Sequence, residues 1–578
     1  MRLLRETLIW FVLAVGMAFA EWDGSIKEAS IKDVGGVNYY VINSPEELAW
    51  FAEKVAEGDS AINALLERDI ILGEDSLTAS SINWTPIGSP LPIYEDGGQR
   101  PYEGVFDGQG HSIYGMNINT MYAGFFKIVG TQGVVKNLNL MNVNINVTGA
   151  WACIGECEDV NIGTIATHNH GLIDNCKTSG IITSKGKVFA QNIGGIVGTN
   201  FREGVITNSV NNVNLDMGIE AYIGGVSGYN YGKILNVVNN GYVANRGEFA
   251  STSYVFVGGI SGGGEGVFEG VVNTGDIVVD VATDKNTGGM RNISAYVGGV
   301  SGFSTGSLKR CGNYGNIQVN VHRVNVSSSS TGTPTAIVGG IVGSSYSSVM
   351  DAFNLGNIES RAEEKNSVAG GVFGYILADS VSIQNVYVSP YVISAENRVA
   401  SIVARVSSSV FEVNEAYVNA ETLKGLEYAI LNNDSANVLI NVLDLRFAEI
   451  SNDDFVKKLN TLNDSVEERN VWELCGTYPG FVGFCEYSKM PTPIDITDTT
   501  DAIDSTDSTD TTDTIDFADS TTSVVKVRTK SVGGMVWGGF QQGAYDVLGH
   551  YVRAKEVPGA YFIRMNGALQ TVIVKKKN

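Results

Sequence analysis

The sequence predicts an all-β protein, built as a parallel β-helix solenoid with capped ends and a small C-terminal β-sandwich. Two observations predict the solenoid. Glycine supplies 69 of 578 residues without a collagen period, and a glycine-rich phrase recurs through the middle of the chain. Glycine used in this way indicates repeated tight turns. A third observation, alternating strands joined by glycine turns after residue 524, predicts the sandwich.

The recurring phrase has the core apolar-Gly-Gly-apolar-apolar-Gly. Its clear copies span residues 193–198, 223–228, 257–262, 297–302, 338–343 and 369–374, and weaker copies begin at Ala123 and Ile162. The second glycine of each pair is Gly195, Gly225, Gly259, Gly299, Gly340 and Gly371, so the spacings are 30, 34, 40, 41 and 31 residues. A fixed phrase at this spacing is typical of a repeat architecture.

Two further phrases follow each copy in the same order. The second is exemplified by residues 204–209 and 306–311, and the third is Asn-x-Gly-x-Ile at 273–277, 313–317 and 354–358. Three short strands and three Gly or Asn corners in about 30 residues make one coil, which must stack on others to bury its apolar face. A β-propeller repeats at about 40 residues but needs four longer strands per blade. The short, glycine-rich segments therefore favour the solenoid.

The three phrases together resemble the GLUG motif, a glycine-rich repeat of secreted and adhesin-like bacterial surface proteins. The resemblance covers roughly residues 120–390. It implies a structural repeat and a surface or secreted location. It supplies no catalytic residues to transfer to this chain.

The first twenty residues predict a signal peptide. Arg2 and Arg5 precede an apolar stretch at 8–15, and Ala18-Phe19-Ala20 forms an A-x-A cleavage site. We expect cleavage between Ala20 and Glu21. The apolar stretch is shorter than the roughly 20 residues that span a bilayer, so no transmembrane segment is expected after cleavage. The net charge of −23 excludes the basic footprint of a nucleic-acid-binding protein.

The solenoid is predicted to span residues 106–390. An N-terminal cap is expected at 21–105 and a C-terminal cap at 391–488. Ser44, Pro45 and Glu47 form a capping box and predict a helix over 45–57. Further helices are expected at 421–431 and 453–462. A strand is expected at 67–72, and two short strands around a glycine turn at 105–113.

Residues 489–523 are predicted to form a disordered linker. Aspartate recurs there at every third position from Asp495 to Asp519, mostly among Thr and Ser. Like charges repel, and such a segment has little to bury. A calcium site is the alternative, but the Thr and Ser spacers supply no glycine turn of the kind that calcium loops use.

The tail, 524–578, reverses the charge and ends in a lysine-rich run. Its phrases are 544–552, which begins Ala-Tyr-Asp, 557–567, which begins Val-Pro-Gly-Ala-Tyr, and 571–578. These resemble, in order, the C-terminal sorting domain of type IX secretion. The resemblance implies that the type IX machinery is a partner and that the protein reaches the outer-membrane surface or the medium.

No catalytic residue, cofactor site or metal site is predicted. A β-helix polysaccharide enzyme typically gathers carboxylates on neighbouring coils. The aligned second-phrase positions show no such column; they are Asp174, Thr207, Leu235, Glu269, Lys309 and Met350. His168 and His170 resemble a metal pair, but no third ligand is near in sequence, so we interpret them as a polar corner.

The cysteines test the coil alignment. Cys176 and Cys311 occupy one aligned column with Ser209, Val237, Val271 and Ala352, so both are expected to be buried packing residues. Four coils separate them by about 19 Å, too far for a disulfide. Cys475 and Cys485 are the expected bridge, and Cys153 with Cys157 is a second candidate.

The leading functional hypothesis is a surface-displayed binding or adhesion module for a glycan or another surface. The alternatives are a secreted polysaccharide lyase or glycoside hydrolase, and a structural spacer. The longer repeats place extra residues near 279–295 and 319–336, which are expected to protrude at one corner. Insertions of this kind often form a binding face, although surface loops also lengthen without function.

Overall fold

A computed structural model shows a parallel β-helix. It describes residues 21–73, 77–88, 101–119, 123–147, 161–184, 191–249, 253–284, 292–324, 333–378, 380–407, 410–423, 426, 429–432, 437–461, 469–489, 544–545, 551–552, 559–565 and 568–574. The signal peptide, its cleavage site at Ala20, Cys153 with Cys157, and all but the first residue of the linker 489–523 lie outside these ranges.

Each coil contributes strands to three sheets. Sheet 1 holds the residues up to the first glycine of each pair, and its eight strands are Asn161–Gly163, Asn192–Gly194, Tyr222–Gly224, Ser253–Gly258, Ile293–Gly298, Thr335–Gly339, Ser367–Gly370 and Arg398–Ala400. Sheet 2 follows the glycine pair, and its ten strands are Phe126–Val129, Ala166–Asn169, Val197–Asn200, Ser227–Asn230, Ser261–Gly264, Ser301–Ser304, Val342–Ser345, Phe373–Ile376, Val403–Val406 and Ile430–Asn432.

Sheet 3 carries the second and third phrases. Its first nine strands are Ser30–Val34, Val37–Ile42, Asn63–Leu66, Ile70–Ile71, Val105–Asp107, Ser112–Tyr114, Asn117–Ile118, Val134–Lys136 and Asn139–Val147. The next eight are Leu172–Asp174, Lys177–Ser184, Val205–Thr207, Val210–Met217, Lys233–Asn239, Val243–Phe249, Val267–Asn273 and Ile277–Asp284. The last eight are Ser307–Asn313, Ile317–Val324, Val349–Asn354, Ile358–Ala362, Ser380–Val388, Ile393–Ala395, Val410–Asn419 and Asn437–Leu445.

The predicted coil alignment is confirmed by the strand register. Glu269 pairs directly with Lys309, and Val271 pairs with Cys311, as the second-phrase alignment requires. Parallel pairing also extends beyond 106–390, from strand Val37–Ile42 to strand Asn437–Leu445. The ladder is longer than the glycine phrase because strands can stack without the glycine pair.

A ladder of buried asparagines runs through the interior. The Nδ2 groups of Asn211, Asn239, Asn273 and Asn313 each donate to the Oδ1 of the next asparagine, with distances of 2.7–2.8 Å, and the ladder ends at Asn354. All five side chains are fully buried. Asn273, Asn313 and Asn354 open the third phrase, and the ladder satisfies polar groups that would otherwise be costly to bury.

Helix Pro45–Glu57 matches its predicted bounds. Ser44 is the N-cap, and its side chain accepts a hydrogen bond from the Glu47 backbone N–H. The buried face of the helix brings Phe51 against Phe106, with ring centroids 5.9 Å apart. The helix therefore adds its apolar face to the solenoid core at the N-terminal end.

The helix predicted at 421–431 is wrong. Ile430–Asn432 is a strand, and Ile430 pairs in parallel with Val403 of the preceding coil. The described residues before it form turns, in which Asn419 Oδ1 accepts from the Glu421 N–H. Stacking on an existing sheet thus overrides the local helical pattern. The other predicted helix is confirmed over Asp453–Asn460.

Residues 447–461 and 469–489 form what we call the side module. It contains helices Phe447–Ile450 and Asp453–Asn460, the hairpin of strands Trp472–Cys475 and Tyr478–Phe481, and the 3₁₀ turn Cys485–Tyr487. A second 3₁₀ turn, Glu363–Lys365, lies in the solenoid. A disulfide joins Cys475 to Cys485, with Cα atoms 4.8 Å apart.

The side module packs along the outer face of sheet 3. Its aromatic side chains cluster with Phe353, Tyr387 and Tyr417 of successive coils. Arg469 donates two hydrogen bonds of 2.9 Å to buried Asp351. At its far end, Lys489 reaches the Thr274 carbonyl at 2.6 Å. The module thus runs back along the solenoid instead of covering only its last coil.

The described part of the tail forms one antiparallel sheet. Its strands are Ala544–Tyr545, Tyr551–Val552, Gly559–Met565 and Ala568–Val574. Separately, no helix among the described residues is long and apolar enough to cross a membrane.

Candidate functional site: an aromatic strip

The outward positions of sheets 1 and 2 carry an unusual run of aromatic residues. In sheet 1, Tyr222, Phe256 and Tyr296 pair directly on consecutive coils. In sheet 2, each outward residue lies seven positions later, as in Tyr222 and Tyr229, whose rings meet edge to face at 4.9 Å. The two columns therefore run side by side along the solenoid.

We call the combined surface the aromatic strip. Its members are linked by ring contacts or lie next to Tyr296: Phe201, Tyr222, Tyr229, Tyr231, Tyr254, Phe256, Tyr296, Phe303, Tyr346 and Tyr375. They extend over six coils. At the parallel strand spacing, the strip is about 24 Å long.

Two ring orientations alternate in the strip. Tyr222, Phe256 and Tyr296 stack with centroids 4.6 and 5.0 Å apart and interplanar angles of 8° and 15°. Tyr229 and Phe303 lie crosswise to this stack, at 88° and 65°. The three stacked rings follow one another along the solenoid axis, so their planes are perpendicular to that axis. The planes of the crosswise rings therefore run roughly parallel to it.

The strip is packed on its inner side and open on its outer side. Tyr254 and Tyr346 are 56% and 48% exposed, whereas Tyr229 is buried. Gly263 occupies the outward position between Tyr229 and Phe303, and a Cβ there would lie 2.8 Å from the Tyr222 ring. The glycine thus leaves room for the Tyr222 ring.

The phenol groups of Tyr222, Tyr229 and Tyr296 are neutral. Burial raises the pKa of Tyr222 and of Tyr296. Burial raises the pKa of Tyr229 further, with a contribution from the Glu265 carboxylate. Each phenol therefore keeps its proton near neutral pH. The strip combines apolar ring faces with hydroxyl groups, the usual chemistry of interface tyrosines.

The two histidines border the strip at its N-terminal end. His170 stacks on Phe201 at 4.2 Å, and burial lowers the pKa of His170. His168 Nε2 lies 2.6 Å from Asn161 Nδ2. Both histidine rings therefore contact protein side chains, Phe201 and Asn161 respectively. The one group of candidate metal ligands among the described residues contains Cys475 and Cys485, whose sulfurs form the disulfide.

The second-phrase positions that were screened for catalytic carboxylates lie in one column, as aligned. Asp174 pairs with Thr207, and Lys309 pairs with Met350. Glu269 lies three coils from Asp174 and forms ion pairs with Lys309 and Arg310 at 3.6 and 3.4 Å. Asp174 and Glu269 are therefore farther apart than the two carboxylates of a catalytic pair.

Cys176 and Cys311 are buried, free thiols, as predicted. Burial raises the pKa of the Cys176 thiol to about 12 and raises that of Cys311 as well. Both thiols are therefore protonated and poorly nucleophilic at neutral pH.

The extra residues of the long repeats are partly strand. Residues up to Asp284 and Val324 continue sheet 3, and Ile293 and Thr335 open the next strands of sheet 1. The expected protrusion at 279–295 and 319–336 is thus shorter than predicted, because long strands absorb part of each insertion. Residues 285–291 and 325–332 lie outside the described ranges.

The aromatic strip was not among the features predicted from the sequence. The signal was present, because Tyr222, Phe256 and Tyr296 each stand three residues before the second glycine of their pair. The outward residues of sheet 2, Tyr229, Phe303 and Tyr375 among them, stand seven positions after the outward residue of sheet 1 in the same coil. Alignment of the residues flanking the glycine phrase, rather than of the later phrases alone, identifies both columns.

Comparison with known proteins finds similarity to short parts of large proteins. No protein-family model matches the chain. A protein of Evansella cellulosilytica with the provisional name Gly-rich membrane protein is 36% identical over 95 residues, which is 16% of this chain and 9% of that protein. Halomucin of Haloquadratum walsbyi is 32% identical over 109 residues, which is 18% of this chain and 1% of halomucin. The matched segments thus span less than a tenth of either relative.

Among solved structures, a Bacteroides ovatus protein provisionally named as an immunoglobulin A1 protease aligns with 80% of this chain and 96% of its own. Its TM-score is 0.31 and its sequence identity is 16%.

Proposed function

We propose that this protein is a surface-displayed binding module and that the aromatic strip is its ligand surface. The observation that carries the proposal is the row of aromatic side chains along six consecutive coils, of which Tyr254 and Tyr346 are about half exposed. Large exposed apolar patches on soluble proteins commonly mark interaction sites. A regular row on a rigid solenoid suits an extended, repetitive ligand.

The proposed ligand is a polysaccharide. Sugar rings present apolar C–H faces and many hydroxyls, which match the ring faces and neutral phenols of the strip. The rings are held in place by stacking on neighbouring coils, so little side-chain entropy is lost on binding. The strip of about 24 Å accommodates several monosaccharides in a row.

An extracellular location agrees with several features of the chain. Its relatives carry the names of a glycine-rich membrane protein and of a halomucin. The N-terminal signal pattern and the sorting-domain resemblance of the tail support export through the type IX machinery. The net charge of −23 suits a solvated surface protein.

Affinity gel electrophoresis of the full chain in gels containing single soluble polysaccharides tests the proposal. We expect at least one polymer to retard the protein. Replacing Tyr254 and Tyr346 together by alanine should weaken the affinity about 30-fold or more, since two exposed aromatic anchors at about 1–2 kcal/mol each lose about 2–4 kcal/mol together. The matched control is Tyr242→Ala, because Tyr242 is 36% exposed and directly precedes the sheet 3 strand Val243–Phe249, away from the strip.

Unchanged retardation of the double alanine variant, with a native circular dichroism spectrum, would remove the strip as the binding surface. Equal weakening by Tyr242→Ala would do the same, since it would place the ligand on another face.

A further inference from the structure

The aromatic strip ends in two arginines. Arg398 occupies the sheet 1 column, in register with Val368, and Arg405 occupies the sheet 2 column, in register with Tyr375. The two arginines are seven residues apart, the offset that brings Tyr222 against Tyr229 in an earlier coil. The column register therefore places Arg398 beside Arg405 on the outer face of a single coil.

These two cations differ from three other arginines of the solenoid. Arg246, Arg310 and Arg323 each form an ion pair with a carboxylate of sheet 3 or of the turn at 363, at 2.7–3.4 Å. Within the part of the chain that the structure describes, Arg398 and Arg405 form no ion pair. One guanidinium nitrogen of Arg398, Nη1, is buried without a hydrogen-bond partner there.

Arg405 is held in place by the strip. Its guanidinium carbon lies 4.4 Å from the centroid of the Tyr375 ring. Such stacking orients the planar guanidinium while leaving its N–H groups free to donate. One guanidinium stacked on Tyr375 and a second one in the neighbouring column, neither of them neutralised by a carboxylate of the described residues, form a local site for an anion.

We propose that Arg398 and Arg405 form an anion subsite that selects acidic polysaccharides, those bearing carboxylate or sulfate groups. The inference rests on the proposed function, because the sugar backbone would lie on the aromatic strip and deliver its anionic group to the arginines. Guanidinium pairs bind both oxyanions through parallel N–H···O hydrogen bonds. A neutral chain would occupy the strip but leave the arginines unpaired.

The test compares polymers that differ only in charge. Affinity electrophoresis of the full chain uses polygalacturonate against its methyl ester for the carboxylate, and dextran sulfate against dextran for the sulfate. The variants are Arg398→Gln, Arg405→Gln and their combination. Arg246→Gln is the matched control, because it removes one positive charge on sheet 3. Thermal unfolding of each variant verifies folding.

We expect wild-type protein to bind at least one acidic polymer more tightly than its neutral counterpart. The double variant should lose about tenfold or more in affinity for that polymer, with unchanged affinity for any neutral polymer. A difference between polygalacturonate and its methyl ester would indicate a carboxylate ligand, and a difference between dextran sulfate and dextran would indicate a sulfate ligand. Arg405→Lys should recover only part of the affinity, since an ammonium lacks the planar fork.

Equal binding of acidic and neutral polymers, or an equal loss in Arg246→Gln, would overturn the anion subsite while leaving the strip as a binding surface. If wild-type protein binds neutral polymers but neither acidic polymer, the subsite is also refuted. Failure to bind any polysaccharide would instead contradict the proposed function itself.

Discussion

At the scale of single residues, the glycine pair is explained by an asparagine across the coil. A Cβ on Gly259 would lie 2.2 Å from the Asn273 side chain, and one on Gly299 would lie 2.4 Å from Asn313. Both asparagines belong to the buried ladder. The first and third phrases of each repeat are therefore coupled: the asparagine needs the space that the glycine leaves.

This coupling predicts the effect of Gly259→Ala. The added methyl group would also meet the Gly299 carbonyl of the next coil at 2.3 Å, so neither neighbour offers an easy relaxation. We expect a loss of about 2–3 kcal/mol in the free energy of unfolding, the usual cost of overpacking a core. Urea unfolding followed by circular dichroism measures it. A variant as stable as wild type would show that the glycine pair has another origin.

Single positions also separate what the sequence could predict from what it could not. Ser44 and Pro45 define a helix end through contacts three residues away, so the pattern alone predicts that helix. The residues around Ile430 favour a helix locally, but Ile430 pairs with Val403 in the preceding coil. That competing interaction is absent from the local pattern.

At the scale of elements, the side module depends on a buried charge. Asp351 is fully buried in sheet 3 and accepts from Arg469 and from the Trp472 indole, whose distances to it are 2.9 and 3.3 Å. Asp351 and Arg469 are 118 residues apart in sequence. Sequence reasoning placed this region at the end of the solenoid, because no local pattern indicates a docking partner so far away.

Asp351→Asn should therefore detach or loosen the side module. Removing one charge leaves Arg469 without its partner, and breaking a buried ion pair typically costs about 3–5 kcal/mol. Asp216→Asn, whose exposed pair with Arg246 is worth at most about 1 kcal/mol, is the matched control. Hydrogen exchange by mass spectrometry should show faster exchange at 447–461 in Asp351→Asn alone. Equal protection in both variants would mean that the apolar contacts of Phe353 suffice for docking.

At the scale of the whole molecule, the solenoid assigns different tasks to its faces. Sheet 3 carries the side module, from which the chain continues at Lys489 beside Thr274. Sheets 1 and 2 carry the aromatic strip and the two arginines. The repeat made the coil predictable. The strip joins residues 30–40 positions apart, and within the sequence only their fixed distance from the glycine pair indicates it.

Hydroxyl-radical footprinting of the full chain, with and without the polysaccharide that retards it most, tests the central claim most directly. Tyr254 and Tyr346 on the strip are 56% and 48% exposed, and Tyr242, just before the sheet 3 strand Val243–Phe249, is 36% exposed, so all three are oxidisable reporters in one molecule. The account predicts that bound polysaccharide protects Tyr254 and Tyr346 and leaves Tyr242 unchanged. Protection of Tyr242 without protection of the strip tyrosines would contradict it.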